Sequence, residues 1–325
     1  MIRWGLALLL TILATVPVDA QELFLLGGMM QNTATSESDY SWQLEYREGL
    51  SEHIAYSISY LNEGHVPDHH RDGNAALLWT GVNLLDQRLS LSAGLGPYYY
   101  FDTTNAHGSG SYRNDHGWGA MASAAATWNI GDRWLLQLHT NWIETFNSID
   151  SLSTLIGIGY QLEAPSGSGP VASIRPVSIA SMDNELTVFA GTTIVNSFDS
   201  PNSVAVALEY RRSIARYVDW TFGWLEEGDN RLVRRNGLTT QVWAAKAFFE
   251  DRFSIGAGGG IYIVLDRFHN LVENRDGGRA LSGLVSLTGS YRFRPNWDLR
   301  TSWYRIVTDY NRDTDVILGG VGYRF

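Results

Sequence analysis

Between residues 63 and 73 the chain reads Glu63-Gly64-His65-Val66-Pro67-Asp68-His69-His70-Arg71-Asp72-Gly73. Three histidines and three carboxylates in so short a span offer the nitrogen and oxygen donors that divalent metals take. The same groups could supply a general base. Against both stands a plain solvated loop, which is the expectation here. Choosing among the three depends on what holds Glu63, His65, Asp68, His69, His70 and Asp72 in place.

The chain states its scaffold twice. Glu45, Arg47, Glu63, Arg71, Trp79, Tyr98 and Asp102 recur as Glu209, Arg211, Glu227, Arg235, Trp243, Tyr262 and Asp266, at a constant offset of 164. Towards the end the offset slips to 163, with Tyr160 matching Tyr323. A duplicated unit of this length fixes the architecture ahead of any motif. It also sorts the cluster. The second copy keeps Glu227, Gly228, Arg235 and Gly237 but has Asp229 in place of His65 and lacks the other histidines. Glu63, Gly64, Arg71 and Gly73 therefore read as loop-shaping, and the histidines as the specialised part.

After residue 21 the chain runs in segments of about ten residues with alternating polarity, separated by turn residues. Trp42, Leu44 and Tyr46 share one face of 41–47, while Ser41, Gln43, Glu45 and Arg47 share the other. Ile54, Tyr56, Ile58 and Tyr60 oppose Ala55, Ser57, Ser59, Leu61 and Glu63. Large apolar faces turned to lipid and small polar faces turned inward would match a transmembrane β-barrel. In a soluble sandwich Trp42, Tyr56, Trp220 and Trp224 would crowd one core. Long connections near 31–39, 64–74, 103–116 and 147–151 alternate with short ones near 49–52, 85–87 and 129–133, giving about eight strands per copy.

Composition agrees. The 325 residues are 44% apolar and 18% charged, with no cysteine and a net charge of −10. An acidic chain is a poor partner for nucleic acid, and without cysteine neither a disulfide scaffold nor a lipid anchor after a cleavage site is available. Residues 1–20 carry Arg3, an apolar core from Leu6 to Leu13 and the small-residue pattern Val18-Asp19-Ala20, as a cleaved signal peptide does. No later run reaches the roughly 18 apolar residues of a membrane helix.

Gly319, Val321, Tyr323 and Phe325 share one face of the last strand. Here the chain resembles outer-membrane β-barrel proteins, whose final strand ends in an aromatic residue with another two before it. The resemblance implies a Gram-negative outer membrane, contact with its lipids and lipopolysaccharide, and recognition of Tyr323 and Phe325 by the barrel-assembly machinery. Some small barrels of this kind are lipid A deacylases with a His-Ser-Asn run on a strand; no such run occurs here.

The expected fold is all-β, with a first repeat at 21–162, a periplasmic linker at 163–184 rich in Pro, Ser and Gly, and a second repeat at 185–325. Tandem eight-stranded barrels are favoured, because small residues such as Gly94, Gly96, Gly258 and Gly260 suit a narrow interior. One sixteen-stranded barrel is the alternative, and pairing of 155–162 with 185–195 would decide for it. Glu45, Arg47, Tyr98, Asp102, His139, Glu209, Arg211, Tyr262 and Asp266 are the expected interior polar network. Arg231, Arg234 and Arg235 form a small basic group on an outer loop that could meet lipopolysaccharide phosphates, though a solvated loop is the simpler reading. Gly256–Gly260 lies in a strand without a following helix, so a phosphate cradle is unsupported. No cofactor is expected. The functional expectation is a non-enzymatic outer-membrane protein with a structural or loop-mediated envelope role. A porin-like channel, which needs the sixteen-strand closure, and a lipid A-modifying hydrolase using the histidine loop are the alternatives.

Overall fold

In a computed structural model the described residues are 19–51, 53–105, 112–162, 184–230, 232–266 and 281–325, without the side chains of 19, 20 and 266. The expected signal peptide (apart from the backbone of 19 and 20), the linker up to 183, His107 and Arg231 lie outside them.

The first eight strands are β1 (Asp19–Asn32), β2 (Ser38–Gly49), β3 (Ile54–Val66), β4 (His69–Leu84), β5 (Leu89–Asn105), β6 (Tyr112–Gly131), β7 (Trp134–Thr145) and β8 (Ser151–Gln161). The next eight are β9 (Asn184–Val195), β10 (Asn202–Ala215), β11 (Val218–Asp229), β12 (Arg234–Phe248), β13 (Phe253–Asp266), β14 (Leu281–Arg294), β15 (Trp297–Val307) and β16 (Thr314–Arg324). Each set closes as its own antiparallel barrel. β1 seals against β8 with Leu23 opposite Tyr160 and Leu25 opposite Ile158. β9 seals against β16 with Leu186 opposite Tyr323 and Val188 opposite Val321. The residues that would have joined one large barrel are thus committed elsewhere, and the fold is a tandem of eight-stranded barrels of the outer-membrane type.

The pleat explains the polarity. Successive side chains alternate across a strand, so Gln43 and Glu45 point inward at 0% exposure while Trp42 and Leu44 face out. Leu78, Leu95, Trp142, Val188 and Phe222 are likewise exposed apolar side chains on outer walls. At the end of each barrel that carries the ends of its chain segment, an aromatic pair marks the rim. Trp134 meets Tyr160 at 5.0 Å, and Trp297 meets Tyr323 at 5.1 Å. Such girdles flank the apolar band of membrane barrels.

The long connection expected at 64–74 is absent. β3 runs to Val66 and β4 starts at His69, leaving Pro67 and Asp68 as the turn. Proline at the first central position and a positive φ of 65° at Asp68 are the chemistry of a type II turn. A register shift between Asn62 and His65 sits at Gly64, whose φ is 67°. A Cβ there would meet the carbonyl oxygen of Tyr40 at 2.4 Å, so glycine is required. β4, with 16 residues, exceeds the roughly 9–11 that cross a bilayer, so its first turn projects beyond the apolar band.

Candidate functional site

Each lumen carries two polar layers: one is built around side chains two apart on one strand, which the pleat puts on the same face, and the other around side chains facing each other from neighbouring strands. Nearer the chain ends, Arg47 pairs with Glu45 at 2.8 Å, and its guanidinium lies 3.7 Å from the Trp79 ring centre. The Trp79 indole N–H donates to Ser57 Oγ at 2.8 Å. Gln43 donates to Glu45 at 2.9 Å, and Asn141 donates to Gln43 at 2.9 Å. His139 is fully buried, with Nδ1 3.0 Å from Gln137 Oε1 and its ring edge-on to Trp79. The second barrel repeats this layer with Arg211 against Glu209 at 3.3 Å, Arg211 over Trp243 at 4.6 Å, and Trp243 donating to Thr221 at 3.0 Å. Tyr304 donates to Glu209 at 2.8 Å.

At the far end of the first barrel Arg71 forks onto Glu63, with Nε to Oε2 at 2.6 Å and Nη2 to Oε1 at 2.8 Å. Tyr98 donates to Glu63 at 2.8 Å, and Arg71 also reaches Ser151 at 2.9 Å. In the second barrel Arg235 forks onto Glu227 at 2.8 and 2.8 Å, and reaches Thr314 at 2.9 Å. Tyr262 is fully buried there. Asp266 pairs its backbone with Asn236, and its side chain lies outside the described residues.

The pleat divides the histidine cluster. Glu63 and Arg71 turn into the lumen, whereas His65 and Asp68 are exposed. His65 packs across the hairpin against His70 with ring centres 3.7 Å apart and planes tilted by 34°, and its backbone N–H donates to the Asp39 carboxylate. Asp72 is buried. His69 turns to Asp102, with Nδ1 2.7 Å from Oδ2, and Ser148 Oγ donates to that same oxygen at 2.7 Å. The hydrogen bond to Asp102 raises the His69 pKa above its ordinary value. Serine and histidine thus both hold the acid, and the imidazole is not interposed between acid and hydroxyl as it is in a nucleophilic triad. Among the described residues no three histidine, aspartate or glutamate side chains converge as a metal site. The basic group also separates: Arg235 is buried in its fork while Arg234 is exposed.

Sequence reasoning put Gln43 on the inward face with Glu45 and Arg47, but it did not single out Ser148, Ser151 or the interior pair Glu185–Arg300, whose guanidinium forks at 2.8 and 3.0 Å. Trp79 and Trp243 had a signal, since both copies carry tryptophan there. Glu185–Arg300 had none, because the first copy has Gln137 where the second has Arg300.

No family model matches the chain. No curated protein matches it either. Solved structures of outer-membrane β-barrels are similar to it. The N-terminal β-barrel domain of Pseudomonas aeruginosa OprF is 10% identical with a TM-score of 0.35, over 44% of this chain and 98% of that one. Ail, the attachment invasion locus protein of Yersinia pestis, is 11% identical with a TM-score of 0.34, over 45% and 99%. The CymD monoaromatic hydrocarbon channel is 8% identical with a TM-score of 0.26, over 96% and 89%. The strand pairing, rather than these likenesses, defines the architecture.

Proposed function

We propose that this chain is a non-enzymatic outer-membrane protein of a Gram-negative bacterium, in which two filled barrels serve as anchors and structural elements and the hairpin tips supply contacts outside the bilayer. The observation that carries the reading is inverted polarity combined with a filled lumen. Apolar side chains such as Leu78 and Leu95 face outward, while Trp79, Tyr98, Tyr100 and the arginine forks occupy the inside. Eight-stranded barrels have interiors just wide enough for side chains to fill. Lipids of the bilayer would bathe the outer walls, the exposed tip with His65, Asp68 and His70 would face lipopolysaccharide, and Tyr323 and Phe325 would be read by the barrel-assembly machinery.

The channel alternative depended on one sixteen-stranded closure, and the two seams remove that premise. Fractionation followed by gel mobility of heated and unheated samples tests the localisation. The protein should sediment with outer membranes and migrate differently before heating. In planar bilayers it should give no channel events. Recovery in the soluble fraction would refute the membrane reading, and reproducible conductance steps would refute the non-pore reading.

A further inference from the structure

The two lumens differ most at the chain-end mouth. In the second barrel Glu185 lies across the strands from Arg211 on one side and Arg324 on the other. Arg300 forks onto its carboxylate, and Arg324 comes within 3.4 Å of it. Asp298 in turn binds Arg324. That mouth is closed by ion pairs.

The first barrel keeps the acid and loses the cations. Glu22 lies across from Arg47 and Gln161, in the same register as Glu185 with Arg211 and Arg324. At the positions of Arg300 and Arg324 stand Gln137 and Gln161, and Leu135 replaces Asp298. Gln161 faces Glu22 across the closing ladder, but as a neutral amide it brings no charge. Arg47 is committed to Glu45 at 2.8 Å and stacked on Trp79. Glu22 and Glu45 therefore share one arginine. Where the second barrel has its arginines, the first has a cavity of about 120 Å³, lined among others by Glu22, Arg47, Ser90, Ser92, Thr127 and Gln161.

We infer that this vestibule is a binding site for a small organic cation bearing a guanidinium group, seated on Glu22 where the second barrel supplies Arg300 and Arg324 from its own wall. A planar guanidinium presents paired N–H donors that match a carboxylate fork; the Ser90 hydroxyl can accept a further donor, as can the second lone pairs of Ser92 and Thr127, which already accept from Arg47 and Gln137. A partly enclosed mouth favours the charged contact more than open water does. The ligand enters from the chain-end side of the barrel.

The test is titration of the full-length protein, folded in neutral detergent, with methylguanidinium and with its neutral analogue methylurea. The wild type should show saturable methylguanidinium binding and bind methylurea at least about tenfold more weakly, since loss of a charge-assisted contact of about 1.4 kcal/mol is tenfold in affinity. Glu22→Gln should weaken methylguanidinium binding by a similar factor. Gln161→Arg, which copies the second barrel's own solution, should abolish it by filling the site. Heat-shifted gel mobility verifies that both variants are folded. No saturable binding by the wild type, equal binding of methylurea, or unchanged binding in folded Glu22→Gln overturns the inference. Should either variant fail to fold, the comparison of the two ligands on the wild type decides alone.

Discussion

Arg71 grips Glu63 through two separate nitrogens, at 2.6 and 2.8 Å, inside a lumen from which both side chains are almost wholly hidden. The same fork recurs between Arg235 and Glu227. Taking either partner away strands a charge in the wall. Arg71→Met should destabilise the first barrel by about 3–5 kcal/mol, whereas the double replacement Glu63→Gln with Arg71→Met should cost markedly less. Urea unfolding in detergent micelles, followed by tryptophan fluorescence, measures both. Equal losses in single and double variants would contradict a buried-charge origin.

Glycine makes room for each buried tryptophan. A Cβ on Gly94 would lie 2.6 Å from Trp79 Cδ2, and one on Gly258 would lie 2.5 Å from Trp243 Cδ2. Both indoles are held by a hydrogen bond on one side and a guanidinium on the other, so neither can yield freely. Gly94→Ala should cost about 1–3 kcal/mol by overpacking, and Gly258→Ala a similar amount. Pairing Gly94→Ala with Trp79→Phe should recover part of the loss, read by the same unfolding measurement.

The His69–Asp102 pair lies at the start of β4, beyond the apolar band, and predicts a pH dependence of stability. The folded pKa of His69 is raised by its hydrogen bond to Asp102. Its contribution to stability is therefore complete below the unfolded value of about 6.5 and is lost as pH rises through the higher folded value. Between pH 5.5 and 8.5 the wild type should lose stability relative to His69→Gln, whose profile over that interval should be flatter. Parallel profiles for the two proteins would show that the pair is not coupled to folding.

The seams can be locked chemically, since the chain has no cysteine of its own. Leu25 faces Ile158 and Val188 faces Val321 across the closing ladders. Directly opposed residues sit with Cα atoms about 5 Å apart, within disulfide range. Leu25→Cys with Ile158→Cys, and Val188→Cys with Val321→Cys, should each oxidise to a cross-link visible as altered mobility on non-reducing gels. Ile158→Cys with Val188→Cys, which joins the strands of a single large ring, should not.

Legibility in the sequence followed the physics of each signal. Alternation of Trp42, Leu44 and Tyr46 with Gln43 and Glu45 revealed strands and faces, because an apolar outer wall and a polar lumen keep the two faces chemically distinct. That contrast fades beyond the apolar band. Around His65 to Asp72 both faces are polar, so the period-two signal disappears although the backbone ladder continues to Val66 and resumes at His69. The same loss placed Arg235 with Arg234 in a loop rather than in the lumen. Closure was legible only as alternatives, since nothing local in β1 or β8 says which strand it will meet. The split of the histidines follows from a register that becomes definite once the turn is known to be only Pro67-Asp68.

The two seams have a genetic consequence. Because β1 finds its last partner in β8, and β9 in β16, no ladder hydrogen bond in either ring depends on a peptide bond between Gln161 and Asn184. A break placed there would leave two polypeptides, each already owning every edge it needs. The halves are therefore free to be encoded apart or exchanged between chains, and each mouth can carry its own residues without disturbing the other ring's closure.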